Sequence, residues 1–111
     1  MEIDIDTDRD TEAFTYESAA EVLKALGHPV RLQILRYIMN SPKQQTTVME
    51  MVSALGIHQA TASQHLKMMK SYNILESRRF RTSIIYRVRE SAIKNVIKTI
   101  LRDFLPDASQ E

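Results

Sequence analysis

The chain has no cysteine and no tryptophan, only two glycines and three prolines, and aromatics make up 6% of its 111 residues. Without cysteine it can form no disulfide, thiolate metal site, cysteine nucleophile or thiol redox switch. Two glycines do not build a phosphate-cradling loop. No Ser-His-Asp arrangement stands on a strand and turn, and no acid pair clusters as a cleft would need, so the reading is of a protein that is not an enzyme. No apolar run is long enough to cross a bilayer, and the start, MEIDIDTDRD, is acidic where a secretory signal is basic and then apolar. The expectation is a cytoplasmic protein of one domain with a modest core, of the kind that small domains often enlarge by dimerising.

What is present is a divided charge. The formal net charge of +1 conceals eight acids against one base, Arg9, from Met1 to Glu21. From Val22 to Pro106, fourteen bases stand against four acids and leave +10 on the segment that carries the structure. A basic body invites a polyanion. Residues 1–15 then read as a flexible acidic arm, 16–105 as the domain and 106–111 as a tail. Solvated faces without a partner are the other reading of the same charge.

Periodicity lays out the domain. YESAAEVLKAL sets Val22, Leu23 and Leu26 on one helical stripe before Gly27, and VRLQILRYIMN follows Pro29 with Leu32, Leu35, Ile38 and Met39 as its expected buried side. A short third helix, about Thr47 to Leu55, buries Val48, Met51, Val52 and Leu55; Gly56 and Ile57 turn into a fourth helix, HQATASQHLKMMKSYNIL. Two short helices joined by a glycine-bearing turn outline a helix-turn-helix. The period then changes: ILESRRF and IIYRVRE are β-prone, with Ile84, Tyr86 and Val88 alternating against Ile85, Arg87 and Arg89 around a hairpin tip near Thr82. Ser91 reads as an N-cap for AIKNVIKTILRDFL, whose wide apolar stripe of Ile93, Val96, Ile97, Ile100, Leu101 and Phe104 needs a partner. The predicted fold is mainly α with a two-stranded β wing, a winged helix-turn-helix in which helices 1 and 5 form a dimer interface through Val22, Leu23 and that stripe.

The fourth helix keeps Ala62, Leu66 and Met69 in helical time, yet crowds polar groups between them. A helix that enters the major groove needs that arrangement: one apolar stripe against its domain, hydrogen-bonding side chains toward base edges and phosphates. Gln59, Ser63 and Gln64 suit bases or sugar-phosphate, Thr61 offers a methyl and a hydroxyl, and His65, Lys67 and Lys70 suit phosphates. Arg78, Arg79 and Arg81 suit an adjacent minor groove or its backbone.

HPVRLQILRYI, LGIHQATASQHLKMMKSYNIL and SRRFRTSIIYRV, in that order, resemble the ArsR/SmtB family of winged-helix transcriptional regulators over roughly Tyr16 to Phe104. The resemblance implies a homodimer built from the first and last helices that binds a short inverted repeat of double-stranded DNA and usually represses. It carries DNA contacts onto Gln59, Ser63, Gln64 and His65, with the wing contact on Arg79 or Arg81. Two positions depart from the family pattern. His58 opens the recognition helix where serine is common, caps less well, and could itself face phosphates. Arg81, beside Phe80, stands where the wing tip often has glycine.

The family's metal sites do not carry over. The third-helix site needs paired cysteines, and this chain has TTVMEMVSAL; the last-helix site needs Asp and His, and here Glu90, Ser91 and Ala92 stand at its start. The expectation is therefore no metal and no cofactor, with the effector unassigned. His28 reads as a packing or capping residue, and His58 and His65, two turns apart, as DNA contacts, with protonation of His65 strengthening binding at low pH. Met39, Met51 and Met69 read as core, not as an oxidation sensor. Two alternatives remain open at this point: a winged helix that binds proteins instead of specific DNA, and a metal-responsive repressor with an atypical site.

Overall fold

The computed structural model of the protein describes residues 14–105, so the arm, apart from Phe14 and Thr15, and the tail lie outside the described residues. Helix α1 (Tyr16–Leu26) opens on a capping box: the Thr15 hydroxyl accepts from the Ser18 N–H at 3.0 Å, and the Ser18 hydroxyl accepts from the Thr15 N–H at 2.9 Å. Two donors that a helix start leaves orphaned are thereby satisfied. Gly27 closes the helix, and α2 (Pro29–Asn40) follows with Pro29 in its first turn. His28 caps α2: its Nδ1 accepts from the Val30 N–H at 3.2 Å.

Helix α2 is the centre of the core. Ile34, Leu35 and Ile38 are wholly buried, while Leu32 and Met39, expected on the buried side, are half-buried. The single stripe read from periodicity is rotated toward Ile34 because α2 packs against α1, α3 (Val48–Leu55) and the sheet at once. After Ser41 the chain makes a tight turn in which Lys43 and Gln44 both take left-handed backbone, φ 58° and 52°. Side chains disfavour that conformation. Here Gln44 ties the turn down, its N–H donating to the Ser41 carbonyl at 2.8 Å and its side-chain amide to the Met39 carbonyl at 3.1 Å.

That turn delivers a strand the sequence reading lacks. β1 (Gln45–Thr47) pairs antiparallel with β3 (Ser83–Val88), which also pairs with β2 (Leu75–Phe80), giving the order β1-β3-β2. The expected two-stranded wing is thus a three-stranded sheet whose β2-β3 hairpin projects beyond β1. Thr46, opposite Tyr86, is buried there. Thr47 ends β1 and caps α3, accepting from the Glu50 N–H at 3.2 Å while the Glu50 carboxylate accepts from the Thr47 N–H at 3.0 Å. This Thr-x-x-Glu box sets the start of α3 one residue past the sequence expectation.

Gly56 ends α3 in the left-handed conformation, φ 67°, that a glycine adopts without strain. Helix α4 (Gln59–Ser71) then buries Ala62, Leu66 and Met69 completely, as its periodicity predicts. It ends in a Schellman motif: Asn73 stands left-handed at φ 61°, its N–H donates to the Lys70 carbonyl, and the Ile74 N–H reaches back to the Met69 carbonyl, both at 2.9 Å. Buried Ile74 and Met69 supply the apolar pair that accompanies this cap. The chain passes from helix to strand β2 within four residues.

Helix α5 (Ala92–Thr99) is shorter than the fourteen-residue helix predicted, and gives way to a π-helical turn at Ile100–Phe104. Arg36 of α2 accounts for the change, because its guanidinium donates to the Leu101 carbonyl at 3.2 Å and also to the Leu105 carbonyl. Carbonyls engaged from outside loosen the regular ladder. Met51, Leu66, Met69, Ile74, Leu75, Tyr86, Val88 and Ile97 complete the core around α2.

Candidate nucleic-acid interface

The outward face of α4 is a continuous exposed stripe, polar except at Ala60 and Met68. Ala60, Gln64, Lys67, Met68 and Ser71, at steps of three and four, are exposed opposite the buried Ala62, Leu66 and Met69, with Gln59 and Thr61 exposed at the helix start. Gln64 lies at the middle of that stripe, Lys70 is exposed on its edge, and Ser63 is half-buried on the same edge. The sequence reading passed over Ala60, Met68 and Ser71. Counting from Ala62 would have found them: they stand half a helical turn away from it. Ala60 leaves room for close approach, and a small apolar side chain suits a thymine methyl.

His58 is exposed at the N-cap of α4, where its side chain makes no capping bond. The first-turn N–H groups of this helix are therefore not taken up by that side chain. Such groups suit an anion such as phosphate.

His65 is placed otherwise than expected. It is half-buried on the flank facing α1 and α2, where its Nδ1 accepts from Arg31 Nε at 3.1 Å, and its ring meets His28 edge-on with centroids 4.6 Å apart. Arg31 also donates to the Ala25 carbonyl at 3.1 Å, so one guanidinium joins the end of α1 to α2 and α4. Burial, then the His28 imidazole and the Arg31 cation, hold the His65 pKa below its ordinary value. An accepting Nδ1 puts the proton of the neutral ring on Nε2. A second proton at Nδ1 would face the guanidinium N–H, which opposes the protonated form that the sequence reading assigned to a phosphate contact. Arg31, which the sequence reading did not single out, is the residue that engages His65 from within the protein.

The wing continues the surface. β2 and β3 meet at a two-residue turn, Arg81 and Thr82, between the paired Phe80 and Ser83. Arg81 takes the left-handed backbone at φ 59°, the conformation that makes glycine common in such turns, and its guanidinium sits 5.3 Å from the Phe80 ring centroid. The departure from the family pattern is thus accommodated by strain at Arg81 in a turn of normal length. Arg78, Arg79 and Arg81 are all exposed. Among the described residues, none of these three, nor Lys67 or Lys70, forms an ion pair. Five cations on one helix and the adjoining hairpin therefore keep their charge for solvent or a partner.

The residues expected at a dimer interface divide. Val22 and Ile97 are buried inside the protomer, Ile93, Ile100 and Leu101 are half-buried, and Leu23, Val96 and Phe104 are exposed, Phe104 at 77%. Among the described residues no three His, Cys, Asp or Glu side chains cluster as metal ligands, and no helix is long and apolar enough to cross a membrane.

Helix, glycine turn, polar recognition helix and basic hairpin define a winged helix-turn-helix DNA-binding regulator. A family profile described as a helix-turn-helix domain matches residues 26–78. The HTH-type transcriptional regulator YgaV of Escherichia coli is 33% identical over 90 residues, 81% of this chain and 89% of that protein. The crystal structure of the transcriptional repressor BigR from Xylella fastidiosa superposes with a TM-score of 0.71 at 30% identity, covering 86% of this chain and 88% of that one. A homodimeric winged helix-turn-helix DNA-binding domain from Mycobacterium bovis, described as a possible ArsR-family regulator, gives a TM-score of 0.68 at 30% identity over 76% of this chain and 75% of its own. The chain belongs to the ArsR/SmtB family of transcriptional regulators.

Proposed function

We propose that the chain acts as a homodimeric repressor that reads an inverted-repeat operator, with α4 in the major groove and the wing on the flanking backbone or minor groove. The observation that carries this reading is the exposed stripe of α4 with five unpaired cations continuing onto the wing. Gln64, flanked by Gln59, Thr61 and Ser63, reads base edges. Lys67, Lys70 and His58 hold phosphates, and Arg78, Arg79 and Arg81 extend the grip past the half-site. Each two-fold copy supplies one reading head, and the two half-sites stand about one helical turn apart. Leu23, Val96 and Phe104 are the apolar side chains left for the partner copy, with Ile93, Ile100 and Leu101 beneath them. The names of the relatives, a repressor among them, support the direction of regulation.

Fluorescence anisotropy with the duplex directly upstream of its own gene, against excess random duplex at two salt concentrations, tests the reading. Binding that resists competitor and falls steeply with salt is the expected result. In the same assay Gln64→Ala lowers the ratio of operator to random affinity. An unchanged ratio would place base reading elsewhere. Val96→Glu should sediment as a monomer with poor operator affinity; a variant that stays dimeric refutes this interface.

A further inference from the structure

Phe80 is the one large apolar side chain of the wing hairpin that the protein does not use for itself. It closes β2 at the tip and is 51% exposed. By the alternation of a strand it shares the outward face with Glu76 and Arg78. Its cross-strand partner is Ser83, the smallest residue of β3, which leaves the ring uncovered. Of the other strongly exposed aromatics, Phe104 lies on the face left for the proposed partner copy, and Phe14 and Tyr16 stand at the start of α1. Phe80 has no such neighbour.

Its surroundings state what could cover it. Arg81, held left-handed directly after it, brings a cation to the ring, and Arg78 and Arg79 precede it in the strand. An apolar protein surface seated here would strip water from the Arg78 and Arg81 guanidinium groups and give them no counter-charge. A DNA minor groove meets both demands: phosphates line its rims, and base steps within it part to admit an apolar side chain. The short turn holds ring and guanidinium together, so the tip presents an apolar wedge with its own cations.

We propose, building on the DNA-reading function above, that Phe80 enters the minor groove beside each half-site as a wedge that partly unstacks one base step. The wing then reads deformability as well as charge. Pyrimidine–purine steps, which unstack most readily, are favoured at the position it touches, and the duplex bends there. Operator preference thereby extends to bases that no hydrogen-bonding side chain contacts.

The test selects duplexes from a randomised pool with the wild-type protein, Phe80→Ala and Phe80→Leu, then measures affinity and end-to-end energy transfer on the duplex that the wild type selects. Wild type and Phe80→Leu should enrich a TA or CA/TG step outside the major-groove half-site and bend the duplex. Phe80→Ala should lose that enrichment and the bend, and bind the selected duplex about 5- to 20-fold more weakly, with random-duplex affinity unchanged. Because the side chain is exposed, its melting temperature should match the wild type. Retention of the step preference and the bend by Phe80→Ala overturns the wedge. A change in the sedimentation of Phe80→Ala overturns it in favour of a contact between copies. Enrichment of no sequence by the wild type overturns the DNA-reading function itself, and the wedge falls with it.

Discussion

The arginines near the tip of the wing and those of the helical side are used in opposite ways. On the α1, α2 and α5 side, Arg31 is spent on His65 and the Ala25 carbonyl, Arg36 on the carbonyls of Leu101 and Leu105, and Arg102 on Asp103. Lys94, nearly buried, is likewise paired with Glu90 at 2.5 Å. On the α4 and wing side, Arg87 pairs with Glu76 at 2.5 Å in the body of the hairpin, but Arg78, Arg79 and Arg81, toward its tip, are bound to no carboxylate among the described residues. A guanidinium fork is equally suited to backbone carbonyls and to phosphates. Its neighbours decide which. The basic charge of the sequence is therefore not one property, since part of it joins helices and only the remainder faces a polyanion.

Substitutions on the two sides should separate stability from affinity. Arg36→Ala should have the largest effect, lowering stability by about 1–3 kcal/mol because the Leu101 carbonyl loses a partly buried charged donor. Urea denaturation measures it; an unchanged midpoint would remove Arg36 from the structural set. Arg79→Ala should leave that midpoint in place and weaken binding to all duplexes by about tenfold, with the salt slope reduced by about 1. Arg81→Gly sharpens the contrast within one residue. It should raise stability by about 1 kcal/mol by relieving the left-handed turn, while weakening DNA binding through loss of the cation. A variant that loses both would show that Arg81 supports the hairpin as well as facing outward.

The smallest effect is on pH dependence. The lowered pKa of His65 means that the unfolded chain binds its proton more readily than the folded one. The stabilising contribution is complete above the ordinary histidine range, near pH 6.5, and is lost as pH falls through the lowered folded value. Melting temperature should drop with acid over that window, and His65→Gln should flatten the slope. A melting temperature that rises on acidification would contradict the lowered pKa of His65.

How much of this was legible depends on how far each cause lies along the chain. The helix-turn-helix, the burial of Ala62, Leu66 and Met69, and the hairpin around Thr82 follow from neighbours within a few residues, and the periodicities carried them. β1 escaped because Gln45–Thr47 is three polar residues that count as a strand only through their pairing with β3, forty residues later. The shortening of α5 traces to Arg36, far upstream. The bond between His65 and Arg31 was not legible for a related reason: the helix face is ambiguous at that flank, and Arg31 lies 34 residues earlier. Ala60 and Ser71, in contrast, were within reach of the same helical count that gave Gln64.

The Schellman turn at Asn73 has a consequence for the operator. With Asn73 left-handed and Ile74 bonded back to Met69, no slack separates α4, the proposed base-reading helix, from the proposed flank-gripping hairpin. Adding one residue there would reverse which side of β2 faces the core, so the joint tolerates no gradual lengthening. In the proposed complex, the number of base pairs between the bases that are read and the flank that is gripped is thereby fixed for each copy. On that reading related operators can drift in sequence, but their spacing is a ruler cut into the protein at a single asparagine.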